Sequence, residues 1–291
     1  MKDIIYTHEH MTIDLSKEKG DIDCNLNIFQ ETKKELINLK NKGVSKIIDL
    51  TNRGMGRDIN FILKIQEETG IEIVCSTGYY KEPFLPDEVR ELTIDELANI
   101  MIEEIEVGIN NTKKRASIIG EIGTSLNEIT PLEKKVFLAA IKASKKTGKY
   151  ISTHTTLGRL AHEQLDIFES EGLNLNKVIL GHVDLKKDFE YLESLLKRGA
   201  YIAFDTIGKI KYLPDETRVE YIKKLCDAGW TEQLLLSVDL TRRSHLKING
   251  GIGYEYLVDN FIPKLIAAGV SQDKIEMMVI KNPKRILEDK E

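Results

Sequence analysis

The chain has 291 residues, 41% of them hydrophobic and 31% charged, which is enough apolar material for a sizeable core and too much for a disordered protein. Its 42 Lys and Arg are scattered among 47 Asp and Glu, a formal net charge of −5, which argues against nucleic acid or an anionic membrane as partner. No apolar run approaches the roughly 20 residues of a spanning helix; MKDIIYTHEH lacks the marks of a signal peptide, and Cys24, Cys75 and Cys226 form no CxxC pair, so a cytoplasmic protein with reduced thiols is expected.

In chain order, short β-branched or apolar runs alternate with segments of helical spacing. Ile4 to His10 reads as a strand, followed by a helix over Phe29 to Lys42. Lys46 to Thr51 precedes a helix over Arg57 to Thr69, and Ile71 to Thr77 one over Ile94 to Asn110. The unit recurs as Ala116 to Gly123 with Pro131 to Thr147, and as Tyr150 to Thr155 with Arg159 to Glu171. Val178 to Val183 with Phe189 to Arg198 and Tyr201 to Thr206 with Asp215 to Ala228 follow, and Leu234 to Leu240 is an eighth strand. Thr93-Ile94-Asp95-Glu96 and Thr130-Pro131-Leu132-Glu133 have the pattern of capping boxes. No glycine-rich phosphate loop and no linker interrupts the series, so a single (β/α)8 barrel over residues 1–291 is predicted, with its chemistry at the C-terminal ends of the strands.

Those ends carry six polar residues. His8 and His10, two apart, share a face of strand one, while Glu9 points the other way. Glu121 ends strand four, His154 strand five, His182 strand six and Asp239 strand eight. A lone imidazole at a strand end is ordinarily a hydrogen-bonded core residue. Four imidazoles and two carboxylates converging without a cation would leave buried polar groups unpaired, at about 1–3 kcal/mol each. Divalent metal removes that cost; six ligands exceed one tetrahedral ion and, with one carboxylate bridging, suit two ions about 3.5–4 Å apart. Zinc is expected first, with manganese or cobalt as alternatives.

The HxH of strand one, the histidines of strands five and six and the aspartate of strand eight resemble the amidohydrolase superfamily. GEIGTS at 120–125, STHTT at 152–156, FDTIGK at 204–209 and SVDLTRRSHLKINGG at 237–251 resemble the homology-protein branch of the phosphotriesterase family across essentially the whole chain. The resemblance implies that His8, His10 and Asp239 hold the more buried ion, that His154 and His182 hold the more exposed one, and that Glu121 bridges them. Phosphotriesterases and related lactonases usually bridge with a carboxylated lysine; the homology-protein branch has Glu, which reaches less far and needs no carbon dioxide.

The expected chemistry is hydrolysis of an ester-type bond: a lactone, including a phosphorylated sugar lactone, or a phosphoester. A metal-bridging hydroxide would be the nucleophile, and Asp239 would carry its proton to the leaving group. Arg242, Arg243, His245 and Lys247, in the loop after strand eight, are candidates for binding an anionic small-molecule substrate, and Tyr79 or Tyr80 for lining its pocket. Asp205, ending strand seven, is a candidate to orient a ligand histidine, and His162 is expected on a helix surface. A homodimer is compatible with the sequence. Two other classes compete with this reading: a metal-free barrel glycosidase pairing Glu121 with Asp205 or Asp239, which leaves four histidines without a role, and a non-catalytic metal- or ligand-binding relative.

Overall fold

The computed structural model describes residues 1–288. Eight parallel strands follow one another around a single sheet in sequence order: β1 (Ile4–Glu9), β2 (Val44–Asp49), β3 (Glu72–Thr77), β4 (Ala116–Thr124), β5 (Ile151–Thr155), β6 (Val178–Gly181), β7 (Tyr201–Phe204) and β8 (Leu234–Leu236). Helices lie between them, giving a nearly closed (β/α)8 barrel. The predicted order of elements holds throughout, and both capping boxes form, with Pro131 opening its helix. A short antiparallel ribbon, Ile13–Asp14 with Asn25–Leu26, adds to the loop after β1.

Alternation along the strands sorts the core into two parts. Ile47 faces outward and packs with the helices. Its neighbour Ile48 faces inward and fills the lumen with Leu50, Val74, Ile118, Tyr150, Ile179, Tyr201 and Leu235. The helices answer with single apolar stripes. Ile94–Glu106 buries Leu97, Ala98, Met101 and Ile105, and truncating a side chain such as Leu97 to Ala would cost about 2–5 kcal/mol.

Several predicted boundaries move, three of them for a visible reason. The helix after β2 begins at Ile59 because Asp58 caps it, its carboxylate accepting from the Phe61 amide. The helix after β5 begins at Ala161, since Leu160 adopts a left-handed backbone at φ 64°. β8 stops at Leu236 rather than Leu240. The amides beyond it turn to a side chain: the Glu9 carboxylate accepts from the amides of Val238, Asp239 and Leu240 and from the Ser237 hydroxyl, at 2.8–3.2 Å. The Ser237 hydroxyl in turn accepts from the His8 amide. One carboxylate therefore closes the barrel between its first and last strands at the level of the candidate site. Burial pushes the Glu9 carboxyl up to about 7 even though these hydrogen bonds pull it down, which reflects how dry the seam is.

Candidate metal centre

Two glycines let the strands approach closely where the site is built. A Cβ on Gly120 would meet the Ser152 carbonyl oxygen at 2.2 Å, and one on Gly181 the Thr153 carbonyl oxygen at 2.5 Å. Their neighbours Glu121 and His182 thereby reach the barrel axis. His182 and Asp239 themselves have left-handed backbones, at φ 60° and 53°, a strained conformation for such residues.

The structure brings all six predicted residues to one point. Glu121 is the hub: one of its oxygens lies 3.5 Å from His8 Nε2, 3.6 Å from His182 Nε2 and 3.3 Å from His154 Nδ1, and the other lies 3.7 Å from His10 Nε2. Asp239 Oδ1 is 3.2 Å from His10 Nε2 and 3.7 Å from His8 Nε2. Two ligand sets emerge, His8 with His10 and Asp239, and His8 with Glu121 and His182. His154 stands at the edge of the second set, its side chain 14% exposed against 0% for His10.

Outer partners fix which ring nitrogen each imidazole offers. Asp205 accepts from Nδ1 of His8 at 2.9 Å with one oxygen, and from Nδ1 of His182 at 2.7 Å with the other. Thr51 donates its hydroxyl proton to the Thr12 carbonyl and so accepts from His10 Nδ1. In these three rings Nε2 is left as a lone pair. His154 is reversed: Thr156 donates to the Thr124 carbonyl and accepts from His154 Nε2, which leaves Nδ1 facing Glu121. Gln164 holds the His154 carbonyl from behind.

The result is acceptor against acceptor. His8 Nε2, His10 Nε2 and a Glu121 oxygen are buried without a hydrogen-bond partner. Lone pairs facing carboxylate oxygens at 3.2–3.7 Å repel unless a proton or a cation lies between them. Burial alone would lower the His182 pKa, but Asp205 outweighs it and lifts the ring to about 10; His8 is raised in the same way. Burial brings His154 down to about 4. Asp239 is held well below the usual carboxylate range, because the Lys209 ammonium and the imidazoles outweigh the effect of burial. The donor set fits divalent ions of the zinc class, with imidazole nitrogen and carboxylate oxygen fixed in advance.

The predicted substrate residues after β8 have partners within the chain. Arg242 is bound to Asp21 and Asp23 in the loop after β1, and Arg243 donates to the Asn25 carbonyl. Lys247 pairs with Glu255, and His245 Nδ1 accepts from the Thr241 amide. None of the four lines the cavity of about 260 Å³ above the metal centre; Arg242 and His245 line an adjoining hollow that shares Lys209 and Tyr212 with it. The acidic partners of Arg242 lie about 220 positions earlier in the chain, so local sequence could not reveal them. Tyr79 is buried beneath the Arg53 guanidinium, and only Tyr80 faces the cavity, because neighbouring residues of an extended chain point opposite ways. His162 is half-buried, joined to Ser194 and Arg198. Both Asp205 oxygens are turned to imidazoles, which removes Asp205 as the partner of Glu121 in a glycosidase pair.

Two residues of the site went unread in the sequence. Lys209, within the quoted FDTIGK string, contacts Asp239 directly. Arg218 is fully buried and joins Asp184, two residues beyond His182, to Thr206, beside Asp205, and to Asp215. It ties together the loops that carry the ring and its orienting carboxylate. Only an arginine on the inner face of the Asp215–Asp227 helix hinted at it.

The profile of the Phosphotriesterase family matches residues 3–287. The phosphotriesterase homology protein of Escherichia coli is 45% identical over 281 residues, covering 97% of this chain and 96% of that one. A crystal structure of that protein, complexed with phosphate in its active site, superposes with a TM-score of 0.96 at 44% identity, covering 98% and 99% of the two chains. The N-acetyltaurine hydrolase of Dictyostelium discoideum is 33% identical over 90% of this chain and 74% of its own. A lactonase of Listeria monocytogenes, 28% identical, superposes with a TM-score of 0.94 over 99% of this chain and 95% of that one.

Proposed function

Because the chain belongs to the phosphotriesterase family, whose relatives here are hydrolases, we propose that it hydrolyses an ester-type bond of a small anionic substrate, using two divalent ions. His8, His10 and Asp239 would hold one ion and His154 and His182 the other, with Glu121 between them. The observation that carries this reading is the buried set of lone pairs without partners on His8, His10 and Glu121. Zinc is the first candidate, and manganese or cobalt the alternatives.

When bound, such ions supply an acidified water and a Lewis acid for the carbonyl or phosphoryl oxygen. The chain's own groups do the rest. Asp239 takes the proton of the attacking water and returns it to the leaving oxygen as the bond to carbon or phosphorus breaks. The Lys209 ammonium beside it keeps that carboxylate ionised until the transfer. Tyr80, whose hydroxyl lies 3.2 Å from His154 Nδ1 at the cavity wall, offers a donor to an oxygen of the substrate. The phosphate in the Escherichia coli relative and the lactonase activity of the Listeria one support phosphorus and acyl carbon as the centres to try first.

The test joins elemental analysis to turnover. Zinc-loaded protein should contain two ions per chain and hydrolyse members of a lactone and phosphoester panel. Chelation should abolish that turnover and added zinc or manganese restore it. Full activity in metal-free protein would overturn the reading.

A further inference from the structure

The cations nearest the metal centre differ in whether they are matched. Lys209 has Asp239, Arg242 has Asp21 and Asp23, and Lys247 has Glu255. Lys81 and Lys19 have no such partner. Both line the cavity that opens on Glu121, His154 and His182. Among the described residues, neither ammonium has a carboxylate within ion-pair distance; the printed hydrogen bond of Lys81 goes to the Glu82 carbonyl at 3.0 Å.

The two ammonium groups are nonetheless gathered onto one aromatic wall. Lys81 Nζ is 5.7 Å from the centre of the Tyr80 ring and 5.6 Å from that of Phe84, and Lys19 Nζ is 5.8 Å from the same Phe84. Contact with ring faces offsets part of the desolvation of an ammonium but cancels no charge. Lys81 is half-buried, so its charge is partly stripped of water. Burial pulls its pKa down, as does the neighbouring Lys19, while Glu133 and Glu121 pull it up. Glu133 is already occupied by Ser125, Thr130 and the Glu82 amide. Glu121 faces the imidazoles, and two divalent ions would outweigh the charges of Glu121, Asp205 and Asp239 together. Two like charges thus face one cavity with no ion-pair partner among the described residues.

We infer that Lys81 and Lys19 form an oxyanion-recognition subsite that holds the charged end of the substrate, a sulfonate, phosphate or carboxylate, on the wall beside His154. This deepens the hydrolase reading and rests on it for the word substrate. It also moves anion recognition from the loop after β8 to the loops after β1 and β3.

The experiment separates binding from turnover. Propane-1-sulfonate, whose head group is a poor ligand for zinc, is titrated calorimetrically into zinc-loaded full-length protein. The wild type should bind it, with affinity falling as salt rises. Lys19→Met/Lys81→Met should weaken binding at least about tenfold, and Lys81→Arg should keep it within about threefold of wild type, as expected for a charge-assisted contact. Failure of the wild type to bind, equal affinity in the double variant, or a loss confined to Arg242→Ala would each overturn the inference. Binding that depends on the lysines, in a protein that hydrolyses nothing on the lactone and phosphoester panel, would sink the hydrolase reading and leave the subsite standing.

Discussion

Glu9 and Glu121 are both buried carboxylates at the rim of one barrel, and their surroundings are opposite. Glu9 accepts four hydrogen bonds from the segment after β8. Glu121 faces four imidazoles, and one of its oxygens is left without a donor. The first arrangement is complete with protein atoms alone and serves architecture. The second leaves a buried carboxylate oxygen without a donor among imidazoles that could hold a metal ion. His8, Glu9 and His10 show how finely the division is drawn, since three consecutive residues alternate between the two tasks.

The contrast can be broken or sharpened by substitution. The largest effect is expected at Asp239→Asn, which should keep its metal yet lower kcat by about 10²–10⁴, the range for losing a positioned proton carrier. Undiminished turnover with full metal content would remove Asp239 from proton transfer. Next, Asp205→Asn should weaken zinc binding about 10–100-fold, because the amide cannot accept from both His8 and His182; competition with a chelating dye reads this directly. Glu9→Gln should behave in the reverse sense. Its amide would turn a donor toward a backbone N–H, costing about 1–3 kcal/mol in urea unfolding, with zinc affinity much less changed. A large loss of metal without loss of stability would erase the distinction between the two carboxylates.

A third carboxylate, Glu104, tests satisfied charge far from the centre. It is bound by Arg57 and Arg53. Burial raises its pKa, but these guanidinium contacts outweigh that and hold it below its ordinary 4.5. The stability it contributes is complete above the unfolded value and is lost as pH falls through the folded one. The difference in Tm between wild type and Glu104→Gln should therefore narrow toward acid. The smallest effect is expected at Arg242→Ala, where solvent-screened ion pairs with Asp21 and Asp23 should leave the midpoint of the same unfolding assay almost unchanged.

Much of this was legible in the sequence, for reasons the structure makes plain. Strands and helices follow hydrophobic periods, caps and glycines, all local signals. His8, His10, Glu121, His154, His182 and Asp239 were found because the fold predicts which strand end faces the mouth. What local pattern does not contain is who stands opposite. The Glu9 closure spans about 230 positions and the two bonds of Asp205 span 197 and 23. The basic loop after β8 reads as an anion site until Asp21 and Asp23 come into view. Tyr79 and Tyr80 are neighbours of the same type, and register alone decides which one faces the cavity.

The seam has a kinetic corollary. The amides of Val238, Asp239 and Leu240 hang on one side chain rather than on a neighbouring strand. They should accordingly trade their hydrogens for deuterium as a group, at a rate set by how often Glu9 lets go. The barrel's joint and the segment presenting Asp239 would breathe together, so a slow clock for opening the seam is also a clock for disturbing the floor of the cavity.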